Sequence, residues 1–555
     1  MKRSVYLIGA LYGLLTSLIV MAVSFLANLV LALPFLPFDL FEGLTRILPG
    51  AVVDKGIQTM VKIITALNIG KLDTTAKLAE IIQGFGLIMV TGVVFGLILG
   101  WVSLHKPGWL KNASLVGGLI LWVGMLYFET ALPKSSAAIL LGLAWLLVLL
   151  LAWGWFQYRL LRSYIAETSQ PAPEGQVMGQ QSRKPITRRN LLALMGSGLV
   201  SVIVLALGIY NNRQQSSSAD IPDTGSTNST VPNINLPYGP EYTSGPAASP
   251  SLQVLKNRID PAPGTRQEIT PVDQFYRIDI NLFPPNIDAA TWHLEVNGLV
   301  DKPVSLSLND IVSRPSITQA LTLSCISNYV GGTLISSNYW TGTRLKDLLA
   351  EIGVKPGAVG INMTAADGFF ESLSLSEAMD DRTLLVYAMN GKALTPDHGY
   401  PLRIYIPDHY GMKQPKWLTQ LEVTDAPRLG YWVQRGWSKQ AIPQTTSTID
   451  TKSVDKGTLV QTGEFPLGGI AWAGTRGIQK VEVQIDNGPW EEAELRNPAV
   501  SPLMWVQWRY NWKPTYSRHQ VRVRATDGTG QLQVEVNRPP MPEGATGLDV
   551  ITLQI

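Results

Sequence analysis

Five long stretches without a charged side chain, all within the first 210 residues, constrain this chain more than any other feature. They run Ser4–Leu33, Ile81–Leu104, Asn112–Phe128, Ser135–Tyr158 and Asn190–Tyr210. A helix of roughly 20 apolar residues crosses a bilayer because all its backbone polar groups are bonded internally. Trp153, Trp155 and Tyr158 crowd one end of the fourth stretch, as interfacial aromatics do. The sequence therefore predicts an all-α transmembrane anchor of five helices over residues 1–210, with the lipid bilayer as partner.

Basic residues in the short loops give an orientation. Lys2 and Arg3, then Lys106 and Lys111, then Arg159, Arg162, Arg183, Lys184, Arg188 and Arg189 fall on one side, which the positive-inside rule makes cytoplasmic. The Leu33–Glu80 loop argues against this, because it carries Arg46, Lys55, Lys62, Lys71 and Lys77 opposite Asp39, Glu42, Asp54, Asp73 and Glu80. With an odd number of spans, everything after residue 210 is expected outside the cytoplasmic membrane. Ile186 to Leu192, with Arg188-Arg189 ahead of an apolar run, resembles a twin-arginine export signal; a plain cytoplasmic anchor is the other reading. The export signal gains force if the downstream domain must fold around a cofactor before it crosses. No charged residue interrupts the runs, and His105 is the only histidine before His293. A transporter path or a bis-histidine haem in the membrane part is therefore not expected.

Residues 211–250, rich in Ser, Pro, Asn, Thr and Gly, read as a flexible linker, since they cannot bury enough surface to offset ordering entropy. Beyond them, strand-like Trp292–Val296 and Leu402–Ile406 mix with helix-like Leu345–Ile352, predicting an α+β domain over 251–427. In 428–555, Ile478–Ile485 alternates, Asp486-Asn487-Gly488 is a hairpin turn, and Gly488–Leu495, Trp505–Trp512, Gln520–Ala525 and Gln531–Val536 read as further strands. This pattern predicts an immunoglobulin-like β-sandwich. The charge balance, 45 Lys+Arg against 42 Asp+Glu, gives no reason to expect nucleic acid.

The single cysteine, Cys325, rules out an intrachain disulfide, a c-type haem attachment and a Cys-ligated iron–sulfur cluster. A lone cysteine at the end of an apolar strand is usually a small buried hydrophobe. Here Asn328 and Gly331-Gly332 follow it, so the alternative is a soft thiolate presented beside a loop able to admit a bulky ligand.

Three ordered blocks carry a family resemblance: Cys325-Ile326-Ser327-Asn328 with Gly331-Gly332 and Trp340 to Leu349; Met389 to Pro407, which includes Asp397-His398-Gly399-Tyr400-Pro401 and Arg403; and Lys416-Trp417-Leu418. Together they resemble the sulfite oxidase family of molybdopterin oxidoreductases, over about residues 255–555. The resemblance implies a molybdopterin-binding domain over 251–427, a dimerisation-type sandwich over 428–555 and a Mo-molybdopterin cofactor. No haem, iron–sulfur cluster or flavin is expected in this chain. It implies Cys325 as metal ligand; Asn328, Asp367, His398, Arg403, Gln414 and Lys416 as cofactor-binding residues; and Tyr329 and Phe369 on the substrate side. His398, Arg403 and Lys416 would take the pterin and its phosphate.

The departures are informative. Tyr329 and Val330 stand where sulfite oxidases place arginines, Phe369 where they have a tyrosine, and Ile278 where another arginine falls, with Arg277 adjacent. A small dianion loses its charge-assisted hydrogen bonds there. Arg277, Lys413, Arg435 and Arg509 are candidates to restore charge; Tyr329, Phe369 and Trp340 are candidates to line a pocket for a less charged substrate. The expectation is oxygen-atom transfer on a small molecule other than sulfite, with a sulfoxide-type reductase or a non-catalytic membrane sensor as alternatives. A separate electron carrier (cytochrome or membrane redox protein) and a homodimer through the sandwich are further expectations.

Overall fold

The computed structural model describes residues 2–31, 33–47, 59, 72–130, 136–168, 258–280, 284–451, 463–515 and 518–554. The fifth apolar stretch, the Arg188-Arg189 pair and the 211–250 linker lie outside the described residues. The chain divides into two compact units, Met1–Gln215 and Ser216–Ile555.

In the first unit the apolar stretches form helices α1 (Lys2–Leu31), α3 (Leu72–His105), α4 (Leu110–Thr130) and α5 (Ser136–Thr168). Among the described residues, four segments are long and apolar enough to cross a membrane: Ser4–Asn28, Gln83–His105, Pro107–Leu126 and Leu140–Ala166. Small residues decide how they pack. Gly9 and Gly13 of α1 face Gly96 and Gly92 of α3 so closely that a Cβ on either side would overlap the opposite backbone carbonyl. Such close backbone approach is what small residues at a helix–helix contact permit. Trp153 Nε1 on α5 donates to Thr16 Oγ1 on α1 at 2.9 Å. Two features were not foreseen. The Leu33–Glu80 segment contains an amphipathic helix, α2 (Leu36–Ile47), which packs on α3 and α4 and buries Asp39. Helix α5 also continues past Tyr158, with the Arg159 and Arg162 guanidiniums 5.7 and 5.8 Å from the centres of the Trp155 and Tyr158 rings.

The second unit begins with two five-stranded sheets. The first has the order β2 (Val304–Ser307), β1 (His293–Gly298), β10 (Leu418–Thr424), β5 (Gly360–Ala365), β6 (Phe370–Ser374). Its β1–β10 pair is parallel and the others antiparallel. The second has β3 (Ser316–Ser324), β4 (Ile335–Arg344), β7 (Leu384–Met389) and β8 (Lys392–Ala393) in order, with β9 (Arg403–Tyr405) also on β7. Three helices sit between strands: α6 (Leu308–Val312), α7 (Leu345–Ile352) and α8 (Leu375–Ala378). Helix α7 spans the residues its periodicity predicts, burying Leu345, Leu348, Leu349 and Ile352. Each such leucine contributes about 2 kcal/mol by burial. Ser307 with Asp310, and Ser374 with Glu377, form capping boxes that start α6 and α8.

Two four-stranded sheets follow, ordered β11 (Thr446–Ser447), β12 (Phe465–Trp472), β16 (Val506–Trp512), β15 (Glu494–Leu495), and β14 (Trp490–Glu492), β13 (Ile478–Ile485), β17 (Arg518–Asp527), β18 (Asp549–Gln554). Their apolar residues share one core around Leu467, Trp508, Val481, Val483, Val521 and Val523. The strand expected over Gln531–Val536 is reduced to one bridge, Thr526 to Leu532. Gln533 explains the loss. Its side chain accepts from Ala525 N at 3.0 Å and donates to Gly547 O at 2.8 Å, taking bonds that a backbone ladder would otherwise make.

Candidate active site

Strand β3 ends at Ser324 and delivers Cys325 into the interior, 7% exposed. Cys325 N donates to Leu334 O at 2.9 Å, and Leu334 N donates to Asn328 Oδ1 at 2.9 Å. The Asn328 side chain thus closes the loop that the thiol opens. Gly331 takes φ +74°, and a Cβ on Gly332 would overlap Asn328 Oδ1, so both glycines are required here. The Sγ lies 3.0 Å from Ser327 Oγ. Burial pushes the thiol's pKa up, against hydrogen bonds from Ser327 and Ile326 that pull it down. Without a cation the group stays a thiol; a soft metal would hold it as thiolate.

A second group of side chains gathers cations. Arg403, at the start of β9, is fully buried over the Trp340 ring at 4.9 Å, and burial lowers its pKa to about 10. Its hydrogen bond goes to His398 O at 3.3 Å, and no carboxylate pairs with it among the described residues. Lys416 Nζ donates to Asp279 Oδ2 at 3.1 Å and Asp397 O at 3.0 Å, and burial brings its pKa to about 8. His398 Nε2 donates to Val272 O at 3.1 Å, leaving Nδ1 as the acceptor; burial and the nearby Lys416 charge lower its pKa to about 3. Arg277 bridges Asp279 and Asp397 at 2.8 and 2.6 Å. Asp367 accepts from Phe369 N at 3.0 Å, and burial, reinforced by Asp279, raises its pKa to about 6.

Two orphaned atoms complete the picture. Among the described residues, Trp340 Nε1, beneath Arg403, has no acceptor, and Gln414 Oε1 has no donor although Gln414 Nε2 is bonded to Ile406 O and His409 O. A buried guanidinium without a carboxylate, an orphan donor and an orphan acceptor cost stability unless something binds there. The residues present fit a pterin carrying a phosphate: Arg403 and Lys416 for the anion, His398 and Gln414 for ring polar groups, Cys325 for a soft metal.

The two residues expected on the substrate side differ in exposure. Tyr329 is 42% exposed, whereas Phe369 is buried against Tyr431 at 5.5 Å between ring centres. All four candidates to restore charge have partners, and for Arg277 and Lys413 these are carboxylates. Arg277 is paired as above; Lys413 is buried on Glu371 at 2.6 Å; Arg435 lies 3.5 Å over the Tyr431 ring; Arg509 bonds Asp260 O at 3.3 Å. Sequence reasoning missed Tyr276, whose buried hydroxyl is held un-ionised by burial and by the nearby Cys325, while Arg403 opposes this. A Cβ on Gly411 would fall 2.8 Å from that hydroxyl. Asp279 was also missed, because its partner Lys416 is far away along the chain. The only available signal was that Tyr276 and Asp279 flank the singled-out Arg277.

The fold and this site define a molybdopterin-binding oxidoreductase. Residues 281–432 match the family described as "Oxidoreductase molybdopterin binding domain". Rat mitochondrial sulfite oxidase is 30% identical over 48% of this chain and 58% of its own length. The Volvox carteri nitrate reductase [NADH] is 35% identical over 27% of this chain and 20% of its own. The Bacillus subtilis "Uncharacterized oxidoreductase YuiH" is 34% identical over 28% of this chain and 77% of its own. The chain belongs to the sulfite oxidase family of molybdopterin-dependent oxidoreductases. It spans 58% of the length of the mammalian sulfite oxidases it matches.

Proposed function

We propose that this chain is a membrane-anchored, extracytoplasmic molybdenum oxidoreductase that transfers an oxygen atom to or from a small substrate other than sulfite. The observation that carries it is the pairing of one buried thiol on a glycine loop with a buried guanidinium, Arg403, that has no carboxylate among the described residues. A molybdenum–pterin group bound there supplies two-electron oxygen-atom exchange with water. Cys325 ligates the metal; Arg403 and Lys416 hold the phosphate; His398, Gln414, Asp367 and Asn328 position the ring and the loop. Tyr329 and Phe369 are the substrate-side residues. Of the two, Tyr329 is the better placed for contact, because Phe369 is packed on Tyr431.

A sulfoxide-type reduction is favoured over sulfite oxidation by the carboxylate pairing of two candidate cations, Arg277 with Asp397 and Lys413 with Glu371. Orientation by the basic loops puts the second unit outside the cell membrane, an immunoglobulin-like sandwich pairs two chains, and a separate cytochrome or membrane redox protein exchanges the electrons. The alternative is a sensor with a degenerate pocket. Metal analysis of the full chain, matured in a molybdopterin-competent host beside Cys325→Ser, separates the two. About one molybdenum per parent chain and about a tenth of that or less in the variant is the expected result. A well-folded parent without molybdenum sinks the catalytic reading.

A further inference from the structure

One short segment, residues 431–444, joins two apolar clusters of the second unit. At one end it is pinned to β6, where Tyr431 N donates to Phe370 O at 2.9 Å. At the other, Tyr410 N donates to Ala441 O at 2.8 Å, and Gln444 N donates to the Tyr410 hydroxyl at 2.9 Å. The first end lies in a cluster with Phe369, a substrate-side candidate. The second lies in a cluster with Tyr410, Met412 and Ile326, the residue that follows Cys325. Burial, aided by the nearby Cys325, raises the Tyr410 phenol to about 12.

Trp432 packs against both clusters. Its ring meets that of Tyr431 edge-on at 5.1 Å between centres. The side chain is half-buried, and its Nε1 has no acceptor among the described residues. Unlike Nε1 of Trp340 and of Trp472, it is not sealed in the interior. An uncharged donor thus stands open between two apolar walls, one beside Phe369 and the other beside the Cys325 loop.

We propose that Trp432 is a substrate-binding, specificity-determining residue: its indole N–H donates to the oxygen of a neutral sulfoxide, while the Trp432 and Tyr431 rings hold the alkyl arm on sulfur. This rests on the sulfoxide reading above and names a donor for it. A sulfoxide oxygen is an uncharged acceptor that one N–H can satisfy, and sulfur packs favourably at aromatic edges. Sulfite, with its charge spread over three oxygens, gains most from several charged donors instead.

The test uses the full chain loaded with cofactor, as parent and Trp432→Phe, which keeps a ring in place and removes the N–H. Dimethyl sulfoxide, and dimethyl sulfide with the same methyl arms and no oxygen, are each titrated against the paramagnetic signal of half-reduced molybdenum. Sulfoxide binding about fivefold weaker in Trp432→Phe, with sulfide within about twofold, is expected. Two results overturn the proposal alone: unchanged sulfoxide binding in Trp432→Phe at full metal content, or equal losses for both probes, which would mean that ring shape rather than the N–H had mattered. A loaded parent that does not bind the sulfoxide removes the sulfoxide reading and the proposal with it. Metal analysis of the same samples identifies a parent without molybdenum, which removes the catalytic reading as a whole.

Discussion

Asp367 carries a cost that belongs to the binding site. Burial raises its pKa from the ordinary 3.8 to about 6. The folded state therefore holds a proton that the unfolded state has released, and the stability present below about pH 3.8 is lost as pH rises through about 6. Melting the cofactor-free chain between pH 4 and 7 should show a shallower fall in Asp367→Asn than in the parent, the remainder coming from groups such as Glu371 and Asp397 whose pKa burial also raises. At pH 7 the variant should be the more stable by about 1–3 kcal/mol. Equal melting at pH 7 would discard the assignment. At Gly332 the effect runs the other way: Gly332→Ala drives a Cβ into Asn328 Oδ1 and breaks its bond to Leu334 N, so metal content should fall while overall folding, read by circular dichroism, survives. Gly332 stood in the Cys325 motif and Asp367 came only from the family resemblance; the geometry that makes them costly was not legible in either. Asp279 and Asp397, which share Arg277, and the orphaned Trp340 Nε1 are set by contacts between distant segments, and no local pattern records them.

Among the elements, strand β6 carries the most exposed energetic liability. Glu371 is fully buried with Lys413 on its Oε1 at 2.6 Å and no donor to Oε2 among the described residues. Burial raises the Glu371 pKa, with Lys413 opposing it. Lys413→Met strands the carboxylate and should cost about 3–5 kcal/mol in denaturant unfolding, while Lys413→Met with Glu371→Leu should recover most of that. Equal losses in the two variants would show that the pair is not the source. Elements with strong internal periodicity, α7 and β13, match their sequence reading end to end because burial on one face fixes both type and limits. Helix α2 and the lost strand at Gln531–Val536 escaped it. Tertiary packing creates α2 inside a charged loop, and a single glutamine side chain captures the ladder bonds of the strand.

For the whole molecule, an alkaline phosphatase fused after Ile555 should be active in cells and a cytoplasmic reporter at the same point silent, if the second unit lies outside; the reverse result overturns the topology. The two units also differ in what the sequence could say of them. Apolar run length located the four long described helices of the first, whereas the second became legible through three motif blocks between Cys325 and Leu418. The Gly9–Gly96 and Gly13–Gly92 contacts have a consequence for biogenesis. The surface of α1 that matches α3 has no mate until Gly100 has been synthesised. At translation rates of about 5–20 residues per second, the first helix waits several seconds with its glycine face unmatched. Slowing synthesis between α1 and α3 would lengthen the interval in which that glycine face can pair with the wrong neighbour.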